Sequence, residues 1–440
     1  MTKFERCLRL FEKNNFILIT IQERVILMLT NIKKPELLIP AGNLETLKIA
    51  IIYGADAVYI GGDLYGLRAK AKNFSMEDMK VGISFAHTHG KKVYVTANIT
   101  AHNQDLEGIR KYFIELKAFG EDRPDALIIS DPGVFSIAME ELPDIELHIS
   151  TQANNTNYET YRFWHKLGAS RVVSARELSM DELVDLKNKI PAEMEIETFV
   201  HGAMCIAYSG RCLLSNYFTG RDANLGACTH SCRWKYHIVE ESRPGEYLPI
   251  EENERGTYIF NSKDLCMIEY IPELVKAGID SFKIEGRMKT ALYVATVART
   301  YRKAIDDFYA DPSSYEAKKS QYLAEIKKGV NRQFTTGFFF GKPTHEDQIY
   351  DSNTYEKAYS YLGTISGQKD GLYELEQKNK FCVGEAIEVI KPNGDTLEVT
   401  VRKIMDDQGL EMESCPHPLQ TIYIDLGMKL DPYDIIRRKE

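Results

Sequence analysis

Apolar residues recur along the first part of this chain in short runs, each closed by small or polar residues and followed by about 10 to 15 residues of helical periodicity. Eight such runs stand out, at 36–40, 57–61, 92–96, 126–130, 146–150, 171–174, 195–200 and 281–285. Helical stretches are predicted between and after them at 44–53, 76–89, 106–119, 158–167, 180–189, 268–277 and 293–308. Runs this continuously apolar suit parallel strands covered on both faces, and eight strand–helix units are what closes a (β/α)8 TIM-like barrel. An open doubly wound sheet is the competing α/β arrangement. Against it, no Gly-x-Gly-x-x-Gly turn follows the first strand; Pro40-Ala-Gly-Asn43 leads directly into a helix that Asn43 is suited to cap.

Beyond residue 310 the period changes. Asp311-Pro-Ser-Ser-Tyr315 marks a break, a charged helical segment runs to Gly329, and alternating runs then appear at 361–365, 372–376, 386–390, 397–401 and 421–424, with Asn393-Gly394 as a hairpin turn. These predict a small C-terminal β-barrel. The division expected is a barrel domain at 33–310 with an insertion at 203–265, a helical linker at 311–349 and the C-terminal domain at 350–440. Residues 1–32 form an N-terminal extension. Its apolar stretch from Phe16 is broken by Gln22, Glu23 and Arg24, too early for a signal peptide or a membrane span. It reads either as a short amphipathic helix or, preferably, as translated upstream sequence with the start at Met28.

The insertion is the anomaly, because about 80 residues separate the seventh and eighth runs where a βα unit needs about 30. It leaves the C-terminal end of a strand, where barrel enzymes place their chemistry. Four of the chain's eight cysteines fall inside it, as Cys205, Cys212, Cys228 and Cys232. Eight cysteines are too few for a disulfide scaffold in a chain of 440 residues, so the cluster reads as metal chemistry in a reducing, cytoplasmic compartment. Thiolates suit zinc and iron-sulfur clusters alike, and these spacings leave the two nearly equal. Cys266 is a fifth candidate and could replace Cys232; Cys7, Cys382 and Cys415 are scattered. The net charge of -9 excludes a protein basic throughout, so any RNA surface must be a patch. Residues 283–332 carry eleven Lys or Arg against six Asp or Glu, which fits such a patch or a solvated helix face.

Glu197-Thr-Phe-Val-His-Gly-Ala-Met-Cys205, continuing through Ser209-Gly-Arg-Cys212-Leu-Leu-Ser215, resembles the signature of the collagenase-like peptidase family of unassigned catalytic type. Ala227-Cys-Thr-His-Ser-Cys-Arg-Trp234, Asn261-Ser-Lys-Asp-Leu-Cys266 and Phe282-Lys-Ile-Glu-Gly-Arg-Met-Lys289 resemble its tRNA-hydroxylating branch, and the likeness spans residues 33–440. The resemblance implies a 4Fe-4S cluster on Cys205, Cys212 and Cys228 with Cys232 as fourth ligand, Cys266 being the rival. It also implies prephenate as an oxygen-independent hydroxyl donor and conversion of wobble uridine in tRNA to 5-hydroxyuridine. A peptidase is the alternative, although no His-Glu-x-x-His or Gly-x-Ser-x-Gly is present, and metal ligation would compete for Cys205 as a nucleophile beside His201. A cluster-bearing RNA-binding protein without catalysis is the third class.

Such a hydroxylase needs a pocket for a dianionic acid and a flipped base. Lys283 and Arg287, at and after the eighth strand, are the expected cations, and Glu197 and His201 on the seventh complete the catalytic set. Thr151 and Gln152 after the fifth strand and Arg176 after the sixth are the expected substrate-binding residues. Plainer roles compete: an ion pair between strands for the charged residues, a strand cap for His201. The expected partners are tRNA and prephenate, with no membrane and with self-association or pairing with a paralogue left open.

Overall fold

In a computed structural model, which describes residues 33–63, 65–66, 73–205, 207–234, 237–238, 248–249, 261–344, 347–349 and 356–440, all eight apolar runs become strands. The reading of the first 32 residues lies outside the described residues. β1 (Glu36–Pro40), β2 (Ala57–Gly61), β3 (Lys92–Ala97), β4 (Ala126–Ile129), β5 (Glu146–Ile149), β6 (Arg171–Val173) and β7 (Glu195–Gly202) pair in sequence order, all parallel. β8 (Ser281–Ile284) pairs with both β7 and β1 and closes the ring.

Alternation within each strand sorts residues between two cores. Leu37, Ile39, Val58, Ile60, Val93, Val95, Leu127 and Ile129 point outward into the large cluster beneath the helices. Their neighbours Leu38, Ala57, Tyr59, Tyr94, Ala126 and Ile128 form a separate cluster inside the barrel. The strands on the opposite wall fill the interior with charge instead, through Glu36, Arg171, Glu197 and Lys283. Around the ring lie α1 (Leu44–Ile52), α2 (Met76–Thr88), α3 (Asn103–Lys117), α4 (Pro132–Glu141), α5 (Tyr158–Lys166) and α6 (Met180–Lys189). Most of their starts are capped by side chains: Asn43 and Ser179 form capping boxes with Thr46 and Glu182, and Asp131 caps α4 ahead of a proline at its first turn.

Two segments outside the strand–helix repeat bear on the barrel mouth. The short strand Asp264–Cys266 runs antiparallel to the end of β7, setting Leu265 opposite Gly202 and Cys266 opposite His201. Phe334–Thr335 pairs parallel with it. Helix Pro312–Ile326 packs on Ala291–Ala310, and the buried Tyr315 hydroxyl donates to the Ile268 carbonyl at 2.9 Å while accepting from the Ile271 N–H.

The C-terminal residues form an eight-stranded antiparallel sheet around their own apolar core. The Asn393-Gly394 turn joins Ala386–Ile390 to Thr396–Thr400 with Ile390 opposite Thr396, and Gly394 takes the positive φ of 97° that this turn needs. This sheet is fastened to the barrel by polar contacts: the Tyr53 hydroxyl lies 2.8 Å from the Ile390 carbonyl, and Arg299 donates to the Asp395 carbonyl and to Thr396. Among the described residues no helix is long and apolar enough to cross a membrane.

Candidate active site

At the C-terminal ends of the strands the barrel opens into a cavity of about 240 Å³, walled below by strand-end residues and above by the insertion. Cys205, Cys212, Cys228 and Cys232 all line it. Cys266 does not stand with them. It is buried behind β7, 4.0 Å from the Tyr301 hydroxyl, where loss of solvent pushes its thiol up to about 12. The placement therefore groups Cys232, rather than Cys266, with the other three. Among the described residues, the guanidinium of Arg176 reaches Cys205 Sγ at 3.6 Å, and the His230 N–H reaches Cys228 Sγ at 3.4 Å. Hydrogen bonds to sulfur are among the features that tune thiolate-held clusters. Among the described residues no three His, Cys, Asp or Glu side chains converge closely enough to hold a single metal ion. Cys205, Cys212, Cys228 and Cys232 bring four sulfur donors to one cavity wall, a donor set that suits thiophilic metals, zinc and iron-sulfur clusters alike.

The cationic floor comes from β8. Lys283 lines the cavity and donates to Glu197 Oε1 at 2.6 Å, its ammonium held over the rings of Tyr59 and Phe199 at 4.6 and 5.5 Å from their centroids. Burial pulls the lysine pKa down against the attraction of Glu197. Burial also pushes Glu197 up, but the charges of Lys283 and Arg171 outweigh it and hold the carboxyl below its usual range. Glu197 is fully buried beneath the cavity and so positions Lys283. Arg287 reaches across the mouth to donate to Thr96 Oγ1 at 2.9 Å, and it can do so because a side chain at Gly61 would run into its guanidinium.

Thr151, Gln152 and Arg176 also line the cavity. Thr151 is satisfied by the Ser174 carbonyl, whereas Gln152 Oε1 and Arg176 Nε are buried and lack hydrogen-bond partners among the described residues. Gly210 explains how the cysteine loop comes so close: at φ 72°, a Cβ there would lie 2.5 Å from Gln152 Oε1. Buried polar atoms left unmatched at a cavity wall are costly, and a ligand carrying complementary groups relieves them.

His201 is the predicted site residue that faces elsewhere. Simple alternation from Glu197 and Phe199 would point it inward, but the β7–β8 register slips so that Lys283 faces Phe199 while Ile284 faces His201. That bulge turns the ring outward among Tyr293, Tyr301 and Phe334, at centroid separations of 6.1, 5.6 and 5.6 Å. Cys205 and His201 are thus not joined as a nucleophile–base pair. Burial lowers the His201 pKa to about 3, so an unfolded chain binds a proton near pH 6.5 that the folded chain refuses. This contribution leaves stability undiminished above pH 6.5 and erodes it, by at most roughly 1.4 kcal/mol per pH unit, as pH falls toward 3. Replacing His201 by Phe is expected to flatten that part of the stability–pH curve measured by urea denaturation.

Asn98, Ser150, Tyr59, Phe199 and Met288 line the cavity too and were not singled out from the sequence. Asn98 donates to Ser150 at 3.2 Å, linking the ends of the third and fifth strands. Asn98 and Met288 follow the third and eighth apolar runs and Ser150 closes the fifth, which is a signal the sequence carries, whereas Tyr59 and Phe199 lie inside their runs.

The arrangement matches a known family over both domains. Residues 42–349 match the peptidase family U32 domain, and residues 357–437 match the peptidase family U32 C-terminal domain. The chain belongs to peptidase family U32. It is 42% identical to tRNA hydroxylation protein P1 of Bacillus subtilis (strain 168), over 92% of this chain and 95% of that protein. It is 38% identical to tRNA hydroxylation protein P of Escherichia coli (strain K12), over 90% of this chain and 95% of that protein. A more distant relative is the 23S rRNA 5-hydroxycytidine C2501 synthase of the same organism, 33% identical over 84% of this chain and 53% of that protein.

Proposed function

We propose that this chain is a tRNA hydroxylase that converts wobble uridine to 5-hydroxyuridine, takes the hydroxyl group from prephenate, and holds a 4Fe-4S cluster on Cys205, Cys212, Cys228 and Cys232. The observation that carries the reading is the meeting of four thiols and a cationic floor in one cavity at the barrel mouth. The names of the relatives aligned over nearly the whole chain supply the reaction class. A bound cluster supplies redox-active iron to the cavity. The chain's own residues bind and orient. Lys283 and Arg287 offer positive charge to the two carboxylates of prephenate, and Arg176 bridges that region to the cluster side through Cys205. Gln152 and Asn98 offer amide groups suited to the edge of a base extruded from its strand. The insertion covers the strand ends and excludes water from the reacting groups.

Nucleoside mass analysis tests this directly. tRNA from cells lacking the gene is expected to lose 5-hydroxyuridine and its derivatives, wild-type gene to restore them, and Lys283→Met to restore less than a tenth. An unchanged nucleoside profile in a strain with no redundant relative overturns the proposal.

A further inference from the structure

The insertion carries an aromatic face that the cavity does not use. Helix Leu214–Thr219 is tied to the cysteine-bearing wall by the Ser215 hydroxyl, which accepts from the Thr229 N–H at 3.0 Å. Away from that tie it presents Tyr217, which at 82% is the most exposed large apolar side chain among the described residues, and Phe218 at 43%. Trp234, two residues past Cys232, is 44% exposed and lies 6.3 Å from the Phe218 ring; Phe218 is 5.2 Å from Tyr217. Three neighbouring rings thus form one solvent-facing patch, and the wall behind it is the wall of the cavity. Exposed apolar clusters of this kind mark contact surfaces. The local charge selects the partner: residues 203–234 carry three arginines and one aspartate, in a chain whose net charge is -9.

We infer that Tyr217, Phe218 and Trp234 form a stacking platform for unpaired bases of an RNA strand, flanking the base that enters the cavity. The inference rests on the RNA-modifying reading above and names where that substrate lies. Aromatic faces accept any base, and arginines in the same segment offer charge to the phosphates, a combination suited to single strands and of little use to a duplex whose bases are already stacked.

The chain reports on its own platform, since its two tryptophans are Trp234 and the buried Trp164. Anaerobically purified full-length protein should be titrated with a 12-nucleotide single-stranded oligoribonucleotide and with the same sequence as a duplex. The single strand is expected to quench Trp234 and to bind more tightly than the duplex. Tyr217→Ala and Phe218→Ala should each weaken single-strand binding by about 5- to 150-fold, the usual range for losing one base–aromatic stack. Tyr217→Phe should restore binding, and Leu213→Ala, an exposed aliphatic neighbour, should change it less than twofold. Undiminished affinity in the alanine variants, or equal affinity for duplex, overturns the platform. So does sedimentation showing that these variants convert a dimer to a monomer with RNA binding intact, which would make the face a self-association surface. The two proposals fail separately. Full restoration of hydroxylated uridine by Tyr217→Ala in cells removes the platform and leaves the hydroxylase; quenching by RNA with unchanged nucleosides in null cells does the reverse.

Discussion

Protein purified without oxygen is expected to carry about four iron and four sulfide per chain, and alanine at Cys205, Cys212, Cys228 or Cys232 to abolish both, while Cys266→Ala leaves them at the wild-type level. The contrast follows from placement. Four thiols line one cavity, whereas Cys266 lies behind β7 against Tyr301, in surroundings that hold its proton. A thiolate is the ligand, so a cysteine whose charged form is opposed by burial is a poor one. Iron and sulfide analysis beside the absorbance spectrum decides the matter. Stoichiometric zinc without sulfide, or loss of the cluster from Cys266→Ala with Cys232→Ala unaffected, would overturn the ligand set.

Arg171→Met is expected to destabilise the protein by about 3–5 kcal/mol. Arg171 is buried inside the barrel, with Glu36 at 2.6 Å, Glu195 at 2.6 Å and Glu197 at 3.2 Å, and Tyr94 completes Glu36 with a 2.6 Å hydrogen bond. Methionine fills the space but leaves three carboxylates sharing two cations at their edges, Lys283 on Glu197 and the exposed Lys33 on Glu195. The loss has a pH signature. Although burial opposes its charge, Glu195 is held at about 2, chiefly by Arg171, so its contribution is complete above the ordinary carboxylate range and disappears as pH falls from about 4.5 toward 2. Urea midpoints of wild type and variant should therefore lie furthest apart near neutrality and draw together below pH 4.5. A constant gap across that range would show that packing, not charge, is what Arg171 contributes.

Much of this architecture is written locally. Eight runs of apolar residues announce eight strands because both faces of a parallel strand are covered, and a gap of about 80 residues announces the insertion. The C-terminal hairpin is legible in the pair Asn393-Gly394, since few residues other than glycine accept the positive φ that Gly394 takes. What escapes a linear reading depends on closure of the ring. Glu36, Arg171, Glu195 and Glu197 look like edge charges in their own runs, and become an interior network only when the sixth, seventh, eighth and first strands stand side by side. Asn98 and Ser150 are ordinary polar residues until their strands bring them within 3.2 Å. His201 stands at the end of the seventh run, close to Cys205 in sequence, and only the slipped β7–β8 pairing shows that its ring faces away from the cavity. Cys266 and Cys232 cannot be ranked by spacing, because what separates them is the side of β7 on which each lies.

The pairing of Gly202 with Leu265 and of His201 with Cys266 means that the chain leaves the barrel and returns to it at one anchor point. The described residues between Gly202 and Leu265 form a cassette clipped to that anchor point. Doubling the length of such a closed segment costs only about 0.6 kcal/mol in loop entropy, and the register of the eight barrel strands is indifferent to its contents. Evolution or design can therefore exchange the part of the mouth that meets a partner, lengthening, shortening or recharging it, while the strand ends beneath keep their spacing.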